Sequence, residues 1–61
     1  MITKYARTLQ PGDRVIIDAA GETVTVTKVG RGFARGTVII EWRDGWTCED
    51  GGTEIVIEVK Q

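Results

Sequence analysis

The run Thr23-Val24-Thr25-Val26-Thr27 alternates hydroxyl and hydrocarbon at every step, and the same period of two returns at Val38, Ile40, Trp42 and at Ile55, Ile57, Val59. In a pleated strand successive side chains point to opposite faces, so each run reads as a strand with one wet and one buried side. Seven Val, seven Ile and eight Thr make up 22 of the 61 residues, against one Leu and four Ala. β-Branched side chains suit a pleated surface and lose rotamer freedom in a helix, so the chain is expected to be all-β. No linker or repeat divides it, and residues 1–61 read as one domain. A chain this short buries only ~60% of the surface its unfolded form exposes, so the core is modest.

Several kinds of chemistry drop out at once. The sequence has no His, which removes imidazole bases and His-containing metal sites. Its single Cys excludes an internal disulfide and a multi-cysteine zinc site. No apolar run approaches the ~20 residues of a membrane span and no signal-peptide pattern opens the chain, so the expected location is cytoplasmic. Net charge is −1 but unevenly placed. Lys4, Arg7, Arg14, Lys28, Arg31 and Arg35 outnumber the carboxylates of residues 1–40, whereas Glu41, Asp44, Glu49, Asp50, Glu54 and Glu58 dominate residues 41–61.

Turn residues divide the alternating runs. Pro11-Gly12 is a turn signal, because Pro presets one φ and Gly accepts a positive one. Residues 14–18 form the first strand, with Val15 and Ile17 inward, and residues 18–22 read as a hairpin connection. Residues 23–29 form the second strand, with Val24 and Val26 on the core face. Three Gly within residues 30–36 suit a loop. The third strand covers residues 37–42 and the last covers residues 54–60, with Ile55, Ile57 and Val59 inward. The opening ten residues are the least regular: Tyr5 and Leu9 are the expected core contacts, and residues 1–4 are expected to fray.

The hairpin between Trp42 and Trp46 is constrained by its loop length. A two-residue Asp44-Gly45 loop would pair Trp42 with Thr47 and send the two tryptophans to opposite faces. A three-residue loop, Arg43-Asp44-Gly45, pairs Trp42 with Trp46 and Ile40 with Cys48, and puts Gly45 where a left-handed residue and a bulge are needed. That register keeps the large apolar residues together and is the expected one, with a fourth strand at residues 46–49 and Cys48 as a buried, inert thiol.

Five short antiparallel strands remove most of their edges by curling into a small barrel. The segments Leu9-Gln10-Pro11-Gly12-Asp13-Arg14-Val15-Ile16, Gly21-Glu22-Thr23-Val24 and Gly36-Thr37-Val38-Ile39-Ile40-Glu41-Trp42-Arg43-Asp44-Gly45 resemble the small SH3-like barrels. They are particularly similar to short orphan domains of actinobacteria and their phages, which combine a Gly-Asp-Arg opening with a Val-x-Trp-x-Asp-Gly hairpin. KOW-type modules share the Gly-Asp-x-Val opening, but their glycine and basic spacing after the first strand is absent here. The likeness covers residues 9–59. It implies a five-stranded SH3-like barrel and a phage or actinobacterial source, and it implies no particular activity.

Function is read from what the strands leave outside. Ile39 and Val56 stand on the outward face of strands that otherwise alternate correctly, and an apolar patch there would mark an interface. With Trp46 beside the turn and Arg31 and Arg35 on the glycine-rich loop, they form the expected contact set of a protein-binding accessory module. The alternative is nucleic-acid binding through Lys28, Arg31, Phe33 and Arg35, with the cations on phosphates and Phe33 stacked on a base. A third reading is a structural subunit that self-associates through its edge strands, adding the buried area a small chain needs. The carboxylates alternate with outward Thr and Arg as solvated faces do, and the segment Glu49-Asp50-Gly51-Gly52-Thr53 is too short for a calcium loop. No metal site, catalytic residue or cofactor is expected. A nucleophilic Cys48 would lack its usual base, so enzyme activity is not expected either.

Overall fold

The computed structural model describes residues 2–16 and 22–58. Its elements are β1 (Ile2–Tyr5), a 3-10 turn (Ala6–Thr8), β2 (Arg14–Ile16), β3 (Thr23–Arg31), β4 (Thr37–Trp42), β5 (Gly45–Asp50) and β6 (Glu54–Ile57). All the strands join one antiparallel sheet in the order β1-β6-β2-β3-β4-β5, and the described residues contain no α-helix. The expected all-β class holds, but the strands among the described residues number six rather than five.

The extra strand is β1, where irregularity and fraying were expected. Its four residues pair with β6 from Ile2 opposite Ile57 to Tyr5 opposite Glu54. Hydrophobic alternation is weak there because β1 is an edge strand and its backbone pairing, not a buried stripe, holds it in place. The core contact also shifts by one residue. Tyr5 is 47% exposed, while Ala6 is buried beside Leu9. Arg7 covers the Tyr5 ring, its guanidinium carbon 4.7 Å from the ring centroid.

The Pro11-Gly12 turn forms as expected, with Gly12 at φ +97° and the Asp13 N–H donating to Gln10 O at 3.1 Å. It is fastened to β3 by reciprocal bonds, Gly12 N–H to Val26 O and Val26 N–H to Asp13 O, both 2.8 Å. The Asp13 carboxylate accepts from Gln10 N–H at 2.9 Å and from Lys4 Nζ at 3.2 Å, tying the turn to β1 as well.

Val24 opposes Val15, and Val26 opposes Trp42. A strict period of two would then send Val29 outward. The register slips between Val26 and Lys28, so Thr27 is a bulge residue and Val29 returns to the inner face opposite Ile40. Thr27 Oγ1 donates to Glu41 O at 3.1 Å and holds the bulge against β4. β3 therefore runs through Arg31, two residues further than the alternation suggests. Ala6, Leu9, Val15, Val26 and Ile40 form the buried centre, with Val24, Val29, Val38, Trp42, Ile55 and Ile57 packed around it. Ile17, Val59, Lys60 and the connection at 18–21 lie outside the described residues.

The β4–β5 hairpin takes neither register weighed from the sequence. Arg43 and Asp44 make a two-residue connection, and the pairs are Trp42 with Gly45, Glu41 with Trp46, Ile40 with Thr47 and Ile39 with Cys48. Trp42 and Trp46 thus lie on opposite faces, and Cys48 is outward and half-buried rather than buried against Ile40. Among the described residues only Gly12 and Gly36 have positive φ, so Gly45 makes no left-handed bulge. It serves a different purpose. A Cβ there would stand 2.7 Å from Trp42 Nε1 and 2.9 Å from Cε2, so the glycine is the space into which the Trp42 indole fits. The inner face of β5 carries Thr47 and Glu49 instead of large apolar groups. These polar groups are tolerated because β5 is an edge strand whose inner side opens on a cleft beside Val15, Ile40 and Ile55. There Thr47 Oγ1 donates to Glu49 Oε1 at 2.9 Å, so the two partly satisfy each other.

Candidate binding face and arginine cleft

The outer face of β3, β4 and β5 follows from the register. Gly30 opposes Ile39, which opposes Cys48, and Lys28 opposes Glu41, which opposes Trp46. Ile39 and Cys48 are half-buried, and a Cβ at Gly30 would touch nothing within 4 Å, so the glycine leaves a shallow hollow beside Ile39. Across this face the loop after β3 brings Phe33 to Trp46. Their ring centroids are 5.7 Å apart and the planes meet at 79°, an edge-to-face contact. Both rings remain open to solvent, Phe33 at 78% and Trp46 at 57%. Two adjacent aromatic rings with that much exposure, over half-buried Ile39 and Cys48, are the kind of patch that marks a contact surface.

The same loop lines an open cleft of about 1000 Å³ at one end of the sheet, and the cleft gathers Arg31, Arg35, Phe33 and Asp50 with a third cation, Arg7. Arg7 comes from the opposite edge of the sheet. It arrives because the β5–β6 turn is squeezed between the two segments: Ala6 N–H donates to Thr53 O at 2.8 Å, Arg7 N–H to Gly51 O at 3.1 Å and Gly51 N–H to Gly36 O at 2.9 Å. Gly51 is buried in this contact, where a Cβ would lie 3.1 Å from Gly36 O and 3.2 Å from Arg7 Cβ. The Arg7 Nη1 donates to Gly51 O at 3.4 Å, which orients its guanidinium. Arg31 and Arg35 are exposed and make no ion pair among the described residues. Asp50 is the cleft's carboxylate, and its Oδ1 accepts from Gly52 N–H at 2.8 Å.

The residues picked out from the sequence are therefore sorted by the fold. Trp46, Ile39 and Phe33 share one face, whereas Arg31 stands opposite Val38 in the inner register and meets Arg35 and Phe33 in the cleft at the end of the sheet. Lys28 lies on the same face across from Glu41. Val56 does not join them: it opposes Thr3 on β6, which β2 and β3 separate from β4. The expectation of a single Ile39–Val56 patch is corrected by the strand order, since outward position on two strands does not make them neighbours. Arg7 was missed, and no local signal marks it, because its place depends on the contact between the 3-10 turn and Gly51. Among the described residues no group of three His, Cys, Asp or Glu could hold a metal ion. No described helix is long and apolar enough to cross a membrane. Compared with known proteins, the chain matches no family profile, no curated protein and no solved structure.

Proposed function

We propose that this chain is a non-enzymatic protein-binding module, a small barrel of SH3-like kind, whose contact face is the outer side of β4–β5 with its Phe33 edge. The observation that carries this is the exposed Phe33–Trp46 pair. Interface energy concentrates in a few Trp, Tyr and Arg residues, and this face offers Trp46, with Phe33 joining it to the cleft of Arg31 and Arg35. The hollow at Gly30 beside Ile39 gives an incoming side chain somewhere to sit. The barrel reading draws on the 3-10 turn after β1, which lies against β4 and β5 at the other end of the sheet order.

A second reading, single-stranded nucleic-acid binding, is favoured by one observation: Arg7 joins Arg31 and Arg35 around a cleft rimmed by Phe33. One experiment separates the two. Tagged wild type, Trp46→Ala and Val56→Asp are used to capture material from nuclease-treated and untreated lysate. The protein-binding reading expects a defined protein that survives nuclease, is retained by Val56→Asp and is lost with Trp46→Ala. Recovery that vanishes on nuclease treatment moves the function to nucleic acid, and retention by Trp46→Ala with loss in Val56→Asp moves the contact face to β6.

A further inference from the structure

We propose that the cleft between Arg7, Arg31 and Arg35 seats the carboxylates of an acidic segment in the protein partner, with a neighbouring aromatic or large apolar residue of that segment held on Phe33 and Trp46. This rests on the protein-binding reading above and specifies the chemistry of the partner.

The cleft has three guanidinium groups and one carboxylate, and that carboxylate is already engaged by the Gly52 N–H. None of the three cations has an ion pair among the described residues, and Arg7 is held in place by the Tyr5 ring and Gly51 O. A guanidinium presents a planar fork of donors that matches a carboxylate with two parallel bonds. Holding Arg7 before the ligand arrives lowers the ordering entropy lost on binding. Gly30 and Gly36 line the cleft with open space where a Cβ would stand, which leaves room for a ligand chain beside the arginines.

Cation alone would suit a phosphate backbone equally well, and the rest of the face decides between them. Moving away from the cleft, the surface becomes apolar at Ile39 and Cys48 and then meets Glu41, flanked by Lys28 on one side and Trp46 on the other, with no excess of either charge. A uniformly charged polyanion laid from the arginines across the aromatic rings would find no further net positive charge there, and the chain as a whole carries −1. A peptide with acidic residues at one end and an apolar residue at the other matches a surface that is cationic in the cleft and apolar beyond it. Phe33 lines the cleft with Arg31 and Arg35 and its ring meets that of Trp46 at 5.7 Å, so the acidic and apolar seats adjoin. An extended ligand peptide rises about 3.3 Å per residue, so its acidic and aromatic positions should lie within about five residues of each other.

A displayed library of random 12-residue peptides is selected on the folded wild type, and the most enriched peptide is synthesised for titration. The expected result is enrichment of two or more Asp or Glu residues within about five positions of an aromatic or large apolar residue. Affinity should fall about tenfold in the Arg31→Ala/Arg35→Ala variant, since two exposed ion pairs each contribute modestly. It should also weaken with added salt in the wild type, a readout that needs no variant to fold. Arg31→Lys/Arg35→Lys should recover part of the loss, keeping charge without the fork. Enrichment of apolar residues with no acidic excess overturns the proposal and leaves the protein-binding reading standing. Failure of all peptides overturns both, and in that case binding of the oligonucleotide (dT)12, with loss in Arg31→Ala/Arg35→Ala, assigns the cleft to nucleic acid.

Discussion

The two tryptophans test the hairpin register directly, because the structure gives them opposite fates. Trp42 opposes Val26 on the inner face, fits over Gly45 and packs against the buried centre. Replacing a core Trp or Phe with Ala costs about 3–5 kcal/mol, and partial burial of Trp42 places it near 3. Trp46 is 57% exposed and has the Phe33 edge as its aromatic contact. Its removal costs the pair term of about 0.5–1.5 kcal/mol. At about 2.1 cal/mol/K per residue, a 61-residue chain unfolds with an entropy near 130 cal/mol/K, so 1 kcal/mol moves the melting temperature about 8 °C. Trp42→Ala should therefore lower Tm by roughly 20 °C or more, against about 4–12 °C for Trp46→Ala. A domain of this size has only about 3–9 kcal/mol of stability in total, so Trp42→Ala could remove much of the cooperative transition. Thermal melts followed by far-UV circular dichroism measure both. Trp46→Phe adds an independent readout, since the remaining Trp42 emission should be bluer and less quenched by iodide than that of the wild type. Equal shifts for the two alanine variants, or a larger one for Trp46→Ala, would refute the register. That result would restore the arrangement in which both indoles share the core side.

Three further substitutions probe the contacts that shape the fold. Gly45→Ala should destabilise by about 1–3 kcal/mol in a urea titration, because its methyl must displace the Trp42 ring. Gly51→Ala faces Gly36 O and Arg7 Cβ, and should cost about 1–2 kcal/mol after the gain from a stiffer unfolded chain. Its amide-exchange map should show lost protection at Arg7 and Gly51, the donors of the compressed turn. Ile40→Ala empties the central buried position of β4, and about 2–5 kcal/mol of lost stability is expected by chemical denaturation.

The all-β class, the Pro11-Gly12 turn, the span Thr37–Trp42 and the inward set Val15, Val24, Val26, Ile40, Ile55 and Ile57 were legible in the amino-acid order. They depend on local quantities: the period-two pattern, β-branched side chains and the φ that Gly12 must adopt. The exposed aromatic and basic residues were also visible one by one. What the sequence could not supply was adjacency. β1 lacks a buried stripe, so it became recognisable only through pairing with β6. Val29 points inward only because Thr27 bulges, and a bulge shifts the alternation phase where β3 meets β4.

The hairpin shows the limit most plainly. Seating both tryptophans inward assumed that the inner face of β5 is fully covered, but β5 lies at the sheet edge, where Thr47 and Glu49 can share a hydrogen bond beside an open cleft. That releases Trp46 to the outer face to meet Phe33. Arg7 reaches the cleft of Arg31 and Arg35 by the same kind of long-range decision, through a turn compressed onto Gly51. Periodicity along a chain determines which side of its own strand a residue takes. Which residues then become neighbours depends on strand order, register and edge position, and these are set by the energy of packing whole strands against one another.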